Sequence, residues 1–235
     1  MKRRAFLAGL AAGVALAAAA SGAGRAEPSL APAASPRAAA PRAASQTPTL
    51  EGVMAGMAGA RGVVAEFREV KELALLSAPL ESRGVLHFVP PDRMVRRTLE
   101  PVPSELVVDG SRVVFRDDAG AGGAPADLSA DPSARQFVDN VTTIFRGDLA
   151  ALRERYEVAF EADGPRWRLA LTPRDAVVRR FVRSLVLEGE GEGLRQMVLV
   201  ERDGDRTTTR FERVDADHVH TAEELRALFG DAPGR

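Results

Sequence analysis

The chain has 235 residues, 45% hydrophobic and 28% charged, which is enough for one substantial core and too apolar for disorder along the whole length. Its 32 Lys and Arg stand against 33 Asp and Glu, which excludes the field of a general nucleic-acid binder, and Lys2 and Lys71 are the only lysines. The absence of cysteine excludes disulfides, thiolate metal sites, cysteine nucleophiles and a lipid-modified amino-terminal cysteine.

Residues 1–26 read as an export signal, with the basic start Lys2-Arg3-Arg4, a small-residue apolar stretch from Ala5 to Ala20, and a weak cleavage region near Gly24, Arg25 and Ala26. The stretch is too short, and too rich in alanine and glycine, for a retained transmembrane helix. Lys2 to Leu7 resembles a twin-arginine core, and the general secretory route is the alternative. Cleavage leaves 28 basic against 33 acidic residues, a net charge of about −5, and places the mature protein in the periplasm. Residues 27–46 are an alanine- and proline-rich linker without periodicity. The folded domain is expected over 47–230, with 231–235 a tail.

Thr47 followed by Pro48 predicts a helix start, and Leu50, Val53, Met54 and Met57 fall on one helical face. From Val63 to Leu73 residues alternate as in a long curved strand whose apolar character drifts between faces. Short apolar runs at 84–89, 93–99, 105–109 and 112–116 then predict a meander, with Asp109-Gly110 a hairpin turn. Residues 117–130 read as a flexible loop. Asp131-Pro132 opens a helix with an apolar stripe of Phe137, Val141, Ile144 and Phe145. Asp148 caps a shorter helix carrying Leu149 and Leu152.

Sheet pattern resumes at 156–162, 166–171, 181–188, 194–202 and 207–214, with hairpin signals at Asp163-Gly164 and Asp203-Gly204. A last helix is expected from Thr221 to Phe229, with Thr221 and Glu224 a capping box and Gly230 the stop. About eight to ten antiparallel strands with inserted helices make an α+β domain built on one curved sheet.

Motifs for catalysis are missing: no nucleophile elbow, no H-E-x-x-H helix, no P-loop, no EF-hand. Asp215, Asp217, His218 and His220 could approach one ion from a strand face, but without a third ligand of fixed spacing they read as surface groups by an acidic turn. His87 reads as a strand residue. The acid-glycine alternation Glu188 to Gly193 reads as a solvated hairpin and not a phosphate cradle. Arg93, Arg96 and Arg97 either meet an anionic head group or line the polar face of a strand. No metal or cofactor is expected.

Large apolar residues instead mark one face of each strand: Phe67, Phe88, Met94, Leu106, Val108 and Phe115 on the first half of the sheet, and Trp167, Leu169, Leu171, Phe181, Leu185, Leu187, Met197, Leu199 and Phe211 on the second. The inserted helices are the available cover. What lies beneath them is either an ordinary core or a cavity that opens for an acyl chain.

Ordered motifs carry a family resemblance: Phe67-Arg68-Glu69, Leu80 to Phe88, Pro90-Pro91-Asp92-Arg93-Met94 through Arg97-Thr98 to Pro101, Leu106 to Gly110, Phe145-Arg146-Gly147-Asp148-Leu149, Trp167 to Pro173, and Glu201 to Thr207. Over nearly the whole mature domain this resembles the periplasmic outer-membrane lipoprotein carriers of the LolA family, in particular its divergent members. The resemblance implies an unclosed antiparallel barrel with a helical lid over an apolar cavity. It implies a monomeric, non-enzymatic carrier that takes acylated cargo, a lipoprotein or glycolipid, from an inner-membrane ABC transporter to an outer-membrane receptor lipoprotein. The cavity would be lined by Phe67, Phe88, Met94, Val108, Phe115, Phe145, Trp167, Leu169 and Phe211. Phe137, Val141, Ile144, Leu149 and Leu152 would form the lid, with Arg93 or Arg96 as its latch. A lipid- or envelope-stress-sensing module on the same architecture, and a metal-dependent hydrolase using His218 and His220, are the competing readings.

Overall fold

The computed structural model describes residues 47–117, 125–131, 138 and 142–230. The export-signal, linker and tail assignments therefore lie outside the described residues, as do Phe137 and Val141. Eleven strands, each antiparallel to its neighbours, form one sheet: β1 Val63–Glu72, β2 Leu80–Val89, β3 Arg93–Glu100, β4 Ser104–Asp109, β5 Arg112–Asp117, β6 Ala126–Asp127, β7 Tyr156–Asp163, β8 Arg166–Pro173, β9 Val182–Glu190, β10 Gly193–Glu201 and β11 Arg206–Asp215. Their spatial order is β6-β5-β4-β3-β2-β1-β11-β10-β9-β8-β7. The first and last long strands pair at the centre while β6 and β7 remain edges, so the sheet is open and not a closed barrel. Two meanders, residues 63–117 and 156–215, are thus sewn together by one non-local ladder.

Local chemistry explains the punctuation. Gly110, Gly164 and Gly204 take positive φ at the three predicted hairpins, where a Cβ would be strained. Helix α1 (Leu50–Gly59) is capped by Thr49, whose hydroxyl accepts from Gly52 N at 3.1 Å, so the predicted start at Thr47 and Pro48 is two residues early. Residues 142–145 are helical, and Asp148 caps α2 (Leu149–Arg155) by accepting from Ala151 N at 2.9 Å. The capping box forms on α3 (Ala222–Phe229): Thr221 Oγ1 accepts from Glu224 N, and the Glu224 carboxylate accepts from Thr221 N. Strand β6 lies inside the stretch expected to be loop, its two residues paired to Val114 and Phe115. Strand β2 begins at Leu80, four residues before the apolar run, because Leu80, Glu81, Ser82 and Arg83 also pair with β1.

One face, here the inner one, carries the core. On it lie Ala65 and Phe67 of β1, Leu86 and Phe88 of β2, Met94 of β3, Leu106 and Val108 of β4, and Phe211 of β11, buried together with Val138. Its other half holds Trp167, Leu169, Leu171, Leu185 and Leu187 against Leu50, Val53 and Met54 of α1, Ile144, and Leu152 of α2. Leu194 and Met197 touch both halves. The cover is therefore three helical pieces, and α1, read only as a leading helix from sequence, is one of them. Phe181, counted among the inner apolar residues from sequence, is 44% exposed at the end of the 3-10 turn Val178–Arg180, and β9 begins one residue later.

The apparent drift in β1 resolves as a change of character along one face. Glu69 and Lys71 follow Ala65 and Phe67 inward and are 7% and 2% exposed. Glu69 lies 3.0 Å from Arg96 of β3 and accepts from Thr209 Oγ1 at 2.9 Å, while Lys71 Nζ lies 3.5 Å from Glu201 of β10. Burial pushes the Glu201 carboxyl above its ordinary range, against the pull of Lys71. Phe67 is overlaid by the Arg96 guanidinium, 4.2 Å from the ring centroid, and faces Gly84 across the β1-β2 ladder. A Cβ on Gly84 would lie 1.9 Å from Arg97 O and 2.7 Å from Phe67 Cζ.

On the outer face, α3 crosses β3 and β4: Leu228 packs on Val95 and Val107, Arg97 Nη2 donates to Ala227 O, and the Arg93 guanidinium sits 3.8 Å over the Phe229 ring. At the start of α3 the chain's three histidines converge, with His87 and His220 rings 5.7 Å apart and His218 and His220 4.6 Å apart. His218 holds Asp215 at 3.3 Å and Glu224 at 3.2 Å through its two ring nitrogens. Desolvation depresses His87 below its ordinary value, helped by the neighbouring His220, Arg97 and His218 and opposed by Glu224. Burial and then His218 do the same to His220, against Glu224 and Asp215.

Two outcomes are expected. Gly84→Val should lower folding stability by about 3 kcal/mol, since the clash is with backbone, measured by denaturant unfolding against Gly164→Ala, where a Cβ meets open space but φ is positive. Because His87 and His220 resist protonation in the folded state, the unfolded chain binds protons first as pH falls past 6.5. Stability is therefore full above that value and declines below it. Melting temperature recorded between neutral pH and pH 5 should show the decline, and His87→Gln should flatten it.

Candidate functional site

The inner face beneath the helices is the candidate site. At the seam between its two apolar halves lies a cavity of about 70 Å³. Its floor is Val63 and Ala65 of β1, Leu86 of β2 and Phe211 and Val214 of β11; Met57 and Ala60 at the end of α1, with Phe145, form its roof. The β9-β10 hairpin closes one side with Glu192, Gly193 and Leu194, the exposed Glu192 marking the rim. Apart from that carboxylate the wall offers no charged group. An apolar cavity of 150 Å³ accepts a benzene ring, so one half that size takes no acyl chain as it stands. In this structure the helical pieces cover the inner face.

The cover is held by apolar packing and by a few polar ties. Phe145 stacks on Phe88 with centroids 5.2 Å apart. Arg146 Nε donates to Pro91 O at 2.6 Å and Nη2 lies 3.8 Å from Asp92, fastening residues 142–147 to the β2-β3 turn. Gly147, at φ +66°, lies so close to α1 that a Cβ would sit 2.1 Å from Met54 O. Arg153 of α2 meets Glu51 of α1 at 2.9 Å across the exposed side. On the far half Trp167 Nε1 donates to Gly191 O at 2.9 Å, and Gly189 leaves the room its ring fills. The acid-glycine run is thus a hairpin, as read, but its glycines also serve the tryptophan.

Of the nine residues expected to line a cavity, Phe145 and Phe211 border the space present. Phe67, Phe88, Met94 and Val108 are buried in the first half, Phe115 is partly buried against them, and Trp167 and Leu169 are buried in the second. All lie on the inner face or beneath it. Among the expected lid residues, Ile144 and Leu152 are buried against the second half and Leu149 packs on it. As cavity residues, sequence reasoning missed Met57, read only as part of a helical face, Leu86, read only within the Leu80 to Phe88 motif, and Leu194, and it missed Arg146, whose motif position between Phe145 and Gly147 was its only signal.

The two latch candidates separate. Arg93 points to the outer face, donates to Asp109 Oδ1 at 2.7 Å and covers Phe229, so it cannot fasten a lid on the inner face. Arg96 is on the inner face, but its described partners, Glu69 and Thr98, belong to the sheet. The histidine pair considered for a hydrolase lies outside the inner face, and no three metal-ligating side chains among the described residues are placed to hold one ion.

Comparison with known proteins places this geometry. The family model of the outer membrane lipoprotein carrier protein LolA-like proteins matches residues 38–232. A protein described as outer-membrane lipoprotein carrier protein, from Alkalilimnicola ehrlichii, is 32% identical over 148 residues, covering 56% of this chain and 64% of its own length, so the match spans less than two thirds of that relative. Solved structures with similarity include a LolA superfamily protein of Nitrosomonas europaea (10% identity, TM-score 0.41, 75% of this chain and 96% of that one). The Pseudomonas aeruginosa MucA/MucB complex (17%, 0.44, 75% and 60%) and a DUF1329 family protein of Desulfovibrio piger (12%, 0.46, 76% and 96%) are similar at the same level. With the family model covering the whole described sheet and its helical cover, the chain belongs to the LolA-like outer membrane lipoprotein carrier family.

Proposed function

We propose that the chain is a periplasmic carrier that buries acyl chains of a lipoprotein or other acylated cargo, such as a glycolipid, on the inner face of its sheet, and performs no catalysis. The observation that carries this reading is the apolar cavity at the seam between sheet and helices, roofed by separate helical pieces and too small in the closed form to hold its cargo. Family membership supports it. In this reading the cover swings from the sheet, and Phe67, Phe88, Met94, Val108, Phe115, Trp167 and Leu169 join Phe145 and Phe211 in contact with cargo. Ile144, Leu149 and Leu152, with Phe137 and Val141, move as the lid. An inner-membrane ABC transporter would load the carrier and an outer-membrane receptor lipoprotein would empty it.

The energetics are balanced in a useful way. Uncovering Met54, Ile144 and Phe145 costs roughly 1.5–3 kcal/mol each, about 5–9 in all, and each methylene buried contributes about 0.8 kcal/mol. About six to eleven methylenes therefore offset opening, so long chains hold the open form and short ones leave it closed.

Native mass spectrometry with lipid extraction, on protein purified from the cell envelope, should recover a molecule with at least one chain of about a dozen carbons. Protein that arrives empty and also refuses added lipids and apolar dyes would overturn the reading. Arg146→Ala, which cuts the tie to the β2-β3 turn, should speed uptake of an apolar dye several-fold while changing stability by less than about 1 kcal/mol, its side chain being half exposed. Stopped-flow fluorescence measures the first and chemical denaturation the second.

A further inference from the structure

The apolar side chains left in solvent are not scattered. Leu75, Leu76, Leu99, Val177, Phe181 and Val219 are the large ones exposed among the described residues, and the first five lie at one end of the sheet. That end holds the β1-β2 loop, the close of β3, the turn between β8 and β9, and the β10-β11 hairpin. It is the end opposite the cavity, whose walls come from the start of β1 and the close of β11.

Residues 73–79, Leu-Ala-Leu-Leu-Ser-Ala-Pro, carry no charge; 74–79 are all exposed, with Leu75 97% exposed. Burying two leucines in protein would be worth several kcal/mol, yet the loop projects them into water. The loops at this end form one rim. Ala74 N donates to Asp205 Oδ1 at 2.8 Å, joining the leucine loop to the β10-β11 hairpin, and Arg202 N donates to Phe181 O at 2.9 Å, joining the hairpin to the turn.

Charge is asymmetric on the β8-β9 side of this rim, where residues 174–183 hold four arginines against Asp175 alone. Arg174, Arg179, Arg180, Arg183 and Arg202 are all exposed. The neighbouring aspartates accept from backbone N–H groups: Asp175 from Val177 N and Val178 N, Asp203 from Asp205 N, and Asp205 from Ala74 N. Glu72 lies 3.9 Å from Arg206. Exposed leucines and a phenylalanine beside five arginines, on a chain of net charge −1, are the chemistry of a surface that enters the head-group layer of an anionic bilayer. We propose that this rim docks the protein on an anionic lipid surface, Leu75, Leu76 and Phe181 entering the interface and the arginines meeting lipid phosphates. The proposal does not depend on the carrier reading.

The test is co-sedimentation with vesicles of phosphatidylcholine alone or mixed with phosphatidylglycerol, using a chain that begins at Glu27. It keeps every described residue and lacks the basic, apolar first 26, which would bind lipid themselves. Retention on the anionic vesicles, weakening as salt rises, is expected. Leu75→Glu/Leu76→Glu and Arg179→Glu/Arg180→Glu should each reduce it about tenfold or more, while Val219→Glu, at the opposite end, should leave it unchanged. Unchanged circular dichroism and melting will separate lost docking from lost folding, which these exposed sites should not disturb. No retention, equal retention on neutral vesicles, or retention that both double variants leave intact would overturn the proposal.

Discussion

An open antiparallel sheet with one apolar face imposes the constraint on which everything else here depends. Among the described residues, eleven strands present that face in one layer, no second sheet packs on it, and helices of the same chain cover it. In a two-sheet sandwich the two faces match each other strand by strand. Here a broad curved surface is met by short helical pieces, and the fit fails at the seam where the two halves of the core join. The small cavity lies at that seam, beneath Met57 and Phe145 and above Ala65, Leu86 and Phe211.

The seam is also where the cover and the sheet are least committed to one another. Leu50, Val53 and Met54 bind α1 to the Trp167 half, whereas residues 142–147 put Ile144 in that half, pack Phe145 on the Phe88 half and tie Arg146 to the β2-β3 turn by backbone and carboxylate oxygens. Breaking the Arg146 ties exposes polar groups that water can serve, so the cost of lifting 142–147 is mainly that of two apolar side chains, against three for α1. In the carrier reading, residues 142–147 are thus the part of the cover that separates at the smaller cost, and Phe145 among them lies over the cavity.

Much of this was legible locally. The Asp-Gly hairpins, the Thr221 capping box and the Asp148 cap each depend on neighbours within a few residues, and the strands between them followed from alternation. The meaning of β1 was not, because Glu69 and Lys71 are made inner-face residues by Arg96 and Thr209 and by Glu201, from strands far along the chain. Alternation tells which residues share a face, and so found Phe67, Met94, Trp167 and Leu169; it does not tell where the cover fails to reach the floor, and only Phe145 and Phe211 of the expected set border the space. Arg93 and Arg96 were both offered as the latch although alternation along the expected strand already separates them, Arg96 sharing a face with Met94 and Arg93 lying on the other.

The long strands give the molecule two unlike ends. Along β1 the inner face runs from Val63 and Ala65 at the cavity, through Phe67 beneath Arg96, to Glu69 and Lys71, and β11 runs from Phe211 back to Thr209 and Thr207. In the carrier reading, an acyl chain that enters at the opened cavity and runs along the sheet meets this buried polar group before it reaches the far rim, and passing it would strip charged side chains of their partners at a cost of several kcal/mol. The polar group therefore acts as a floor to the apolar space. Ten residues of β1 span about 33 Å, so a rim resting on a lipid surface holds the cavity mouth about that far above it. In the carrier and docking readings proposed above, lipid contact at one end and cargo exchange at the other are in this way kept apart, and the mouth is left facing the protein that delivers or receives the cargo.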